Sequence, residues 1–303
     1  MSASEISALP PLFEAIDSEA DGSLRLGLAS GGELRWAVVD LSRPLEALRR
    51  RLDPSPLAAM ALGRAMSAGA LLLRFATKRP GRLRLEVKGD GPLGTISADV
   101  DSGGLLRGMA DELLVAPPTD GRLDVGAAVG ANGLLRVTQE LEDRPPYVSQ
   151  TRLVDGEIGN DLVHFLAQSQ QVRSAALLGV VPTSDGIAAA GGLLVEALPG
   201  ATEAAVDELE TAVRAISGVG STLRDGGADA LLEAVVGQLE PEELERHRLL
   251  YGCRCERETL LDRLRTLPSA DLEEIAGSDR RAELECAFCK GRFLFSVDDL
   301  IAN

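Results

Sequence analysis

The spacing of four cysteines constrains the fold of this chain more than any other feature of its sequence. One residue separates Cys253 from Cys255, two separate Cys286 from Cys289, and residues 256–285 lie between the pairs. A tetrahedral metal site needs this arrangement, since each pair supplies two sulfur ligands and the intervening segment folds back to join them. Because four sulfurs complete the coordination, the sequence predicts one zinc ion bound without a histidine ligand.

Three explanations of these pairs stay open on the cysteines alone. The first is a structural zinc site that holds together a small domain unable to bury enough core by itself. The second is a redox role, since thiolates are the forms that oxidants attack. Chance cysteines are the weakest explanation, because the chain has only four cysteines and all of them fall into two tight pairs.

Charge and composition exclude several classes of function. The net charge is −16, which disfavours nucleic acid, since phosphates need a basic face. Aromatic residues make up 3% of the chain, so stacking platforms for single strands are scarce. Residues 1–10 do not resemble a signal peptide, and the alanine-rich residues 56–73 indicate a buried helix, not a membrane span. We therefore expect a cytoplasmic protein with reduced thiols, no nucleic acid and no membrane.

The first two hundred residues alternate between short strands and a few helices. Sequential hairpins with few helices predict an α+β domain with a mixed sheet, which we expect to end near residue 200. The predicted strands are residues 24–29, 33–40, 82–88, 95–100, 105–109, 134–141, 147–153, 174–181 and 188–198, and the predicted helices are residues 42–52, 56–73 and 157–167. The helix from Pro56 is apolar on nearly all sides, which predicts a position inside the domain.

Residues 89–94 (GDGPLG) match the glycine pattern of dinucleotide-binding folds. That pattern must open a helix, but residues 95–100 are strand-like and Pro92 suits a turn. We therefore predict a hairpin loop here and no nucleotide site.

Residues 201–248 differ in composition and predict an acidic, helical linker. Apolar residues recur at helical spacing, and glycines interrupt the pattern at positions 218, 220, 226, 227 and 237. Two interpretations stay open: an ordinary connection that remains folded, or a metastable segment that opens at low free-energy cost. The apolar positions are Val206, Leu209, Val213, Ile216, Leu231, Leu232, Val235 and Val236.

Residues 249–303 predict a small metal-binding domain. We expect helices over residues 256–267 and 269–276, then a hairpin of residues 284–286 and 292–295 with Phe293 and Phe295 on one side. Gly291 allows a tight turn whose amides point at the sulfurs. Too few large apolar residues are present for stability without the metal. Three cations, Arg254, Lys290 and Arg292, would offset the charge of four thiolates.

The chain resembles the heat-shock protein 33 family, the redox-regulated 33 kDa chaperonins. The cysteine spacing at the C-terminal end is the most specific element of the likeness. Further similarity lies in residues 87–93 (VKGDGPL), 106–108 (LRG), 149–151 (SQT), 156–158 (GEI) and 190–194 (AGGLL), so that nearly the whole chain is covered.

The resemblance implies a chaperone that holds unfolding client proteins without ATP, often as a homodimer. It implies that the reduced, zinc-bound form is inactive, and that oxidants such as peroxide form the disulfides Cys253–Cys255 and Cys286–Cys289 and release zinc. The metal domain and linker then unfold and expose apolar surface. A Cys253–Cys255 bond closes a small, strained ring that is readily reduced again, which favours a switch over an inert metal site.

Two other classes of protein remain as alternatives. An enzyme has little support, because His164 and His247 are the only histidines and neither a Walker motif nor G-x-S-x-G is present. The second alternative is a constitutive zinc-bound interaction module without redox switching. Peroxide sensitivity of zinc release distinguishes that module from a switch.

Overall fold

The computed structural model describes residues 21–76, 80–116, 121–276, 280–296 and residue 300. By its contacts the chain divides into a sheet unit, Asp17–Tyr251, and a cysteine unit that contains Gly252–Asn303. Helices and mostly antiparallel strands follow one another without a repeating parallel order. The predicted α+β class is confirmed.

A ten-stranded sheet forms the sheet unit, in the order β7-β6-β3-β4-β5-β10-β1-β2-β9-β8. The predicted strands are confirmed to within a few residues, and sequential strands pair as antiparallel hairpins. The strands are β1 (Asp21–Ala29), β2 (Leu34–Asp40), β3 (Gly81–Lys88), β4 (Thr95–Asp101), β5 (Leu105–Ala110), β6 (Leu134–Leu141), β7 (Arg144–Arg152), β8 (Ser174–Pro182), β9 (Ile187–Ala197) and β10 (Glu242–Tyr251).

The apolar helix predicted from Pro56 lies inside the sheet unit. Helix α2 (Pro56–Ala76) follows α1 (Ser42–Leu52) and packs against strands from both halves of the sheet. Within the described residues, only Pro56–Phe75 is long and apolar enough to cross a membrane, and 89% of its apolar window is buried. The segment is therefore a core helix, as predicted.

Two short helices, α3 (Val125–Val129) and α4 (Gly159–Phe165), complete this layer, and α4 continues as a π-helical turn over Leu166–Gln170.

The glycine-rich residues 89–94 form the loop of the β3–β4 hairpin, so the rejected nucleotide motif is indeed a turn. The backbone of Gly91 donates to the carbonyl of Val129, and a Cβ at Gly91 would lie 2.3 Å from the carbonyl oxygen of Ala128. Glycine is required here because another chain segment crosses the loop at backbone distance.

Helices α5 (Glu203–Ala215) and α6 (Val219–Val236) belong to the sheet unit and contribute to a second core cluster with Trp36. Gly226 and Gly227 interrupt α6 with non-helical dihedral angles, as the sequence suggested. The prediction of helix is wrong for residues 242–248. They belong to β10, which pairs with β1 and β5 and thereby joins the two halves of the sheet.

The described residues of the cysteine unit include two helices that are followed by one hairpin. Helices α7 (Arg257–Leu264) and α8 (Ser269–Ala276) precede strands β11 (Arg281–Glu285) and β12 (Arg292–Ser296), so the predicted elements are confirmed, although α7 ends earlier than expected. Phe293 and Phe295 share one core cluster, as predicted. Among the described residues that cluster is small, and its buried members are Leu264, Leu272, Ala282, Phe293, Phe295 and Leu300.

Candidate metal centre

The two cysteine pairs meet because two non-regular segments of the cysteine unit approach each other. Cys253 and Cys255 lie in the extended segment that precedes α7, and Cys286 and Cys289 lie in the turn between β11 and β12. An extended C-x-C segment presents its two sulfurs from nearly adjacent positions, whereas the C-x-x-C turn curls around its own pair. The structure thus brings all four predicted residues together.

The sulfur positions fit a single metal ion. All four Sγ atoms lie within 4.8 Å of one another. The shortest contacts cross between the pairs, at 3.5 Å from Cys253 to Cys286 and 3.2 Å from Cys255 to Cys289. A tetrahedron with metal–sulfur bonds of about 2.3 Å has edges of about 3.8 Å, so the four cysteines are close enough to hold a metal ion.

Crowding of the sulfurs changes the acidity of the thiols. Hydrogen bonds from Cys253, Cys255 and Cys289 lower the pKa of Cys286. A hydrogen bond with Cys253 is the largest cause that raises the pKa of Cys255. A hydrogen bond with Cys253 is also the largest cause that raises the pKa of Cys289. Without a metal, Cys286 is thus the more acidic thiol and Cys255 and Cys289 are the less acidic ones, whereas a bound divalent cation would deprotonate its thiol ligands.

Backbone amides in the second turn point at the sulfurs, as predicted. The amide of Gly291 donates to the sulfur of Cys289, and the amide of Cys289 donates to that of Cys286. The residue of this turn with a left-handed backbone is Lys290, which has φ of 55°. The turn closes through the hydrogen bonds from Lys290 N to Cys286 O and from Cys286 N to Gly291 O.

Two of the three predicted cations also serve nearby carboxylates. Lys290 Nζ lies 3.5 Å from Glu285, and Arg292 Nε lies 3.2 Å from the same carboxylate. Arg292 also approaches Glu283 at 3.8 Å. Their positive charge is therefore engaged at least in part by the carboxylates of strand β11.

One contact that supports the site was not anticipated from the sequence. The guanidinium of Arg257, in the first turn of α7, stacks over the ring of Phe295 at 4.5 Å from its centroid. This contact ties the helix that follows the first cysteine pair to the hairpin that carries the second. The only available signal was an arginine close to Cys255 and an aromatic residue close to Cys289, which does not identify the pair.

Both histidines lie in the sheet unit. His164 is part of α4, and His247 is part of β10. The ring nitrogens of His247 lie 3.2 Å from Arg74 and 2.9 Å from Glu245. The donor set within reach of one ion in the described residues is thus four sulfurs, which is the set that zinc prefers in structural sites.

Comparisons with known proteins give the same family from sequence and structure. The family model described as Hsp33 protein matches residues 23–296. The 33 kDa chaperonin of Rippkaea orientalis is 38% identical over 287 residues, covering 93% of this chain and 95% of the relative. A 33 kDa chaperonin of Thermus thermophilus is 37% identical, covering 92% of this chain and 85% of the relative. The crystal structure of the Thermotoga maritima 33 kDa chaperonin, a heat shock protein 33 homolog, superposes with a TM-score of 0.82 at 30% identity, over 92% of this chain and 96% of that one.

Proposed function

This chain belongs to the Hsp33 family, and we propose on that premise that it is a redox-regulated holdase that needs no ATP. We divide it by function into a chaperone core (residues 1–200), a metastable linker (residues 201–248) and a zinc switch domain (residues 249–303). Its partners are unfolding or oxidatively damaged cytoplasmic proteins, with a homodimer as the oxidised form. We propose no enzymatic activity.

One observation carries the proposal: four thiols converge in a unit whose described residues form only a small core. The four sulfurs lie within 4.8 Å of one another, beside a cluster in which six of the described side chains are buried. Bound zinc would hold Cys253, Cys255, Cys286 and Cys289 as thiolates and link both halves of the unit. A small domain of this kind folds with its metal and unfolds without it.

Oxidation would remove that link. We propose that the disulfides form within the close pairs, Cys253 with Cys255 and Cys286 with Cys289. Each bond joins two thiolate sulfurs, and the two electrons released reduce one peroxide, with two protons, to water. Cross-pair contacts are short as well, so peptide mapping by mass spectrometry of the oxidised protein decides the pairing.

Unfolding would then spread into the linker and uncover apolar surface. Leu231, Val235 and Val236 of α6 are buried together with Trp36 of the sheet. Detachment of α6 would therefore expose two apolar faces, one on the helix and one on the sheet. The ion pair of Arg25 with Asp229 of α6 opposes detachment only weakly, because its carboxylate is exposed to solvent.

An aggregation assay with an unfolding client tests the proposal. Reduced, zinc-loaded protein should suppress aggregation poorly, and protein oxidised under mildly unfolding conditions should suppress it well without nucleotide. Zinc release and the emission of Trp36, the single tryptophan, are read in parallel; solvent exposure of Trp36 should shift its emission to the red. Equal suppression in both states with retained zinc would instead support a constitutive zinc-bound interaction module.

A further inference from the structure

A cleft of about 710 Å³ lies between the chaperone core and the first helix of the linker. Its floor is the first half of β8, the strand at the free edge of the ten-stranded sheet. Val163 of α4 and Ala167 of the π-helical turn form one wall, and Val206, Leu209 and Val213 of α5 form the other. The volume lies within the range of small-molecule sites, and the walls favour a ligand whose surface is mostly apolar.

Charges at the rim of the cleft are balanced. Arg173 pairs with Glu203 at 3.0 Å, and Arg214 pairs with Glu210 at 2.5 Å, all four at exposed positions. Each cation is thus accompanied by an anion, and the rim has no net charge that would attract an acidic or a basic ligand. An uncharged ligand matches it best.

The floor of the cleft adds hydrogen-bond donors to these apolar walls. Ala197 N donates to Arg173 O at 2.9 Å, and bonded pairs alternate along an antiparallel ladder, so the N–H groups of Ser174 and Ala176 point away from β9. Among the described residues, no hydrogen bond engages either N–H group. The carbonyl of Ala176 is covered by the start of α4, where a Cβ on Gly159 would lie 3.7 Å from its oxygen. Because unpartnered N–H groups are rarer in proteins than under-used carbonyls, the best occupant brings an acceptor.

We propose that this cleft binds an uncharged, mostly apolar small molecule that carries a carbonyl oxygen, and that the bound molecule holds α5 against the sheet. The oxygen accepts a hydrogen bond from the floor, at Ser174 or Ala176, and the apolar body lies between α4 and α5. Since α5 supplies one wall, the cleft is complete only while the linker is docked. A ligand that binds one of two states shifts the equilibrium toward that state.

Occupancy of the cleft therefore opposes activation. This consequence rests on the proposed function, in which the linker detaches after oxidation, whereas binding itself does not depend on that function. At a ligand concentration of about one hundred times Kd, the ratio of opened to docked linker should fall about a hundredfold. An apolar molecule of this class would thus raise the oxidant threshold of the switch.

Fluorescence titration with the neutral dye Prodan tests the site on the reduced, zinc-loaded full chain. Prodan is apolar, carries one carbonyl group and emits further to the blue in apolar surroundings. We expect saturable binding and displacement by methyl octanoate. Octanoate has the same chain with a carboxylate in place of the ester, and it should displace the dye more weakly. Stronger displacement by octanoate would overturn the assignment to an uncharged ligand.

Two variants on different walls decide whether the dye occupies this cleft. Ala167→Glu places a carboxylate among apolar side chains and should lower the affinity about tenfold, whereas its exposed neighbour Gln168→Glu should not change it. Ser174→Pro removes an N–H group that the β8–β9 ladder does not use, and it should lower the affinity about threefold to tenfold. Urea unfolding verifies that both variants are folded. Unchanged affinity in both of these folded variants overturns the proposal.

Hydrogen exchange tests whether the occupant holds α5 in place. With saturating methyl octanoate the amides of Glu203–Ala215 should exchange more slowly, while those of β3 to β6 should be unchanged. Unaltered exchange of α5 at saturation would overturn the proposed effect on the linker.

Failure of the site and failure of the proposed function are distinguishable. Binding that responds to Ala167→Glu and protects α5, in a protein that gains no aggregation-suppressing activity on oxidation, supports the cleft and rejects the redox switch. A normal oxidant response in a protein whose dye binding is insensitive to both cleft variants rejects the cleft alone.

Discussion

Each unit of the molecule contains a group of charged or ionisable side chains held close together, and the two units stabilise them differently. In the sheet unit, the buried carboxylate of Asp99 accepts hydrogen bonds from Arg82, Arg84 and Arg107, at 2.8 Å from Arg84 Nε and 2.7 Å from Arg107 Nη2. In the cysteine unit, four sulfurs converge within 4.8 Å of one another, and the two cations that follow β11 along the chain, Lys290 and Arg292, pair with the carboxylate of Glu285.

The difference separates a region that is complete in itself from one that depends on an added cation. The negative charge of Asp99 is balanced by arginine side chains of the protein itself, so oxidants and chelators do not change this charge balance. A cluster of thiolates requires a bound cation, and loss of that cation leaves several negative charges close to one another. On the function proposed above, oxidation and metal removal should therefore act on the cysteine unit and leave the ion pairs of Asp99 unchanged.

Replacing all four cysteines by serine should have the largest effect. The cysteine unit would lose the zinc proposed to bind there and with it a binding free energy of about 10 to 16 kcal/mol, the usual range for structural zinc. We expect zinc content to fall to zero and the amides of the cysteine unit to exchange rapidly with solvent. The oxidant response should vanish, with some constitutive activity from a loosened linker.

Strands β3 to β6 supply the internal control for the cysteine variant, because they lie in the other unit. Their amides should stay as protected as in the unmodified protein. Equal loss of protection in both units would show that the two are one cooperative structure and would abolish the comparison.

Asp99→Asn should destabilise the sheet unit by about 3 to 5 kcal/mol, because three arginines lose their common counter-charge in a buried place. Burial alone would raise the pKa of Asp99, but hydrogen bonds from Arg84 and Arg107 and the charge of Arg82 outweigh it and lower the pKa below its ordinary value. The stabilisation is therefore present above the pKa of an unfolded aspartate, near 3.9, and is lost as pH falls through the lowered value.

Urea unfolding at neutral and acidic pH measures the effect of Asp99. The difference between Asp99→Asn and the unmodified protein should shrink as the pH falls below about 4. Asp143→Asn, at an exposed position in the β6–β7 hairpin, should change stability by less than about 0.5 kcal/mol. A pH-independent difference would mean that shape, and not charge, makes Asp99 important.

Much of this architecture was predictable from the sequence because its signals are local. Alternation in β3 marked Leu83, Leu85 and Val87 as the buried face, and the apolar helix from Pro56 was correctly assigned to the core. The cluster of four cysteines was equally predictable, since the spacing within each cysteine pair can be read directly from the sequence. In these cases, neighbouring residues along the chain determine the structure.

Features that depend on distant partners were not predictable. β10 carries acidic residues that are typical of the end of a linker, and it becomes a strand because β1 and β5 flank it on either side. No sequence pattern identified Asp99 as important, because its three arginine partners lie on other strands, two on β3 and one on β5. The burial of a charge depends on tertiary packing, which no local pattern records.

Gly227→Ala should have a moderate effect on the linker and tests whether the sheet unit is uniformly stable. Gly227 has φ of 66° and ψ of −157°, a conformation essentially limited to glycine, and a Cβ there would make only an ordinary contact, at 3.9 Å from Asp40 Oδ2. The cost is therefore a backbone cost of about 1 to 2 kcal/mol. We expect faster hydrogen exchange in α6 and easier activation by oxidant, with β3 to β6 unaffected. An unchanged rate of hydrogen exchange in α6 would show that the break in the helix does not limit the packing of α6 on the sheet.

Glu285→Gln should have the smallest effect and sharpens the account of charge around the sulfurs. The carboxylate engages Lys290 and Arg292 at half-exposed positions, and such surface pairs contribute less than about 1 kcal/mol. Removing it weakens the β11–β12 hairpin slightly but frees both cations to act on the thiolates. Zinc affinity, measured by competition with a chromophoric chelator, should rise by less than about tenfold at low salt. The gain should disappear at about 1 M salt, where charges more than a few ångströms apart are screened. A gain that persists at high salt would mean that Glu285 acts on the cysteines through the geometry of the turn, and the sharing of cations between carboxylate and sulfurs would be wrong.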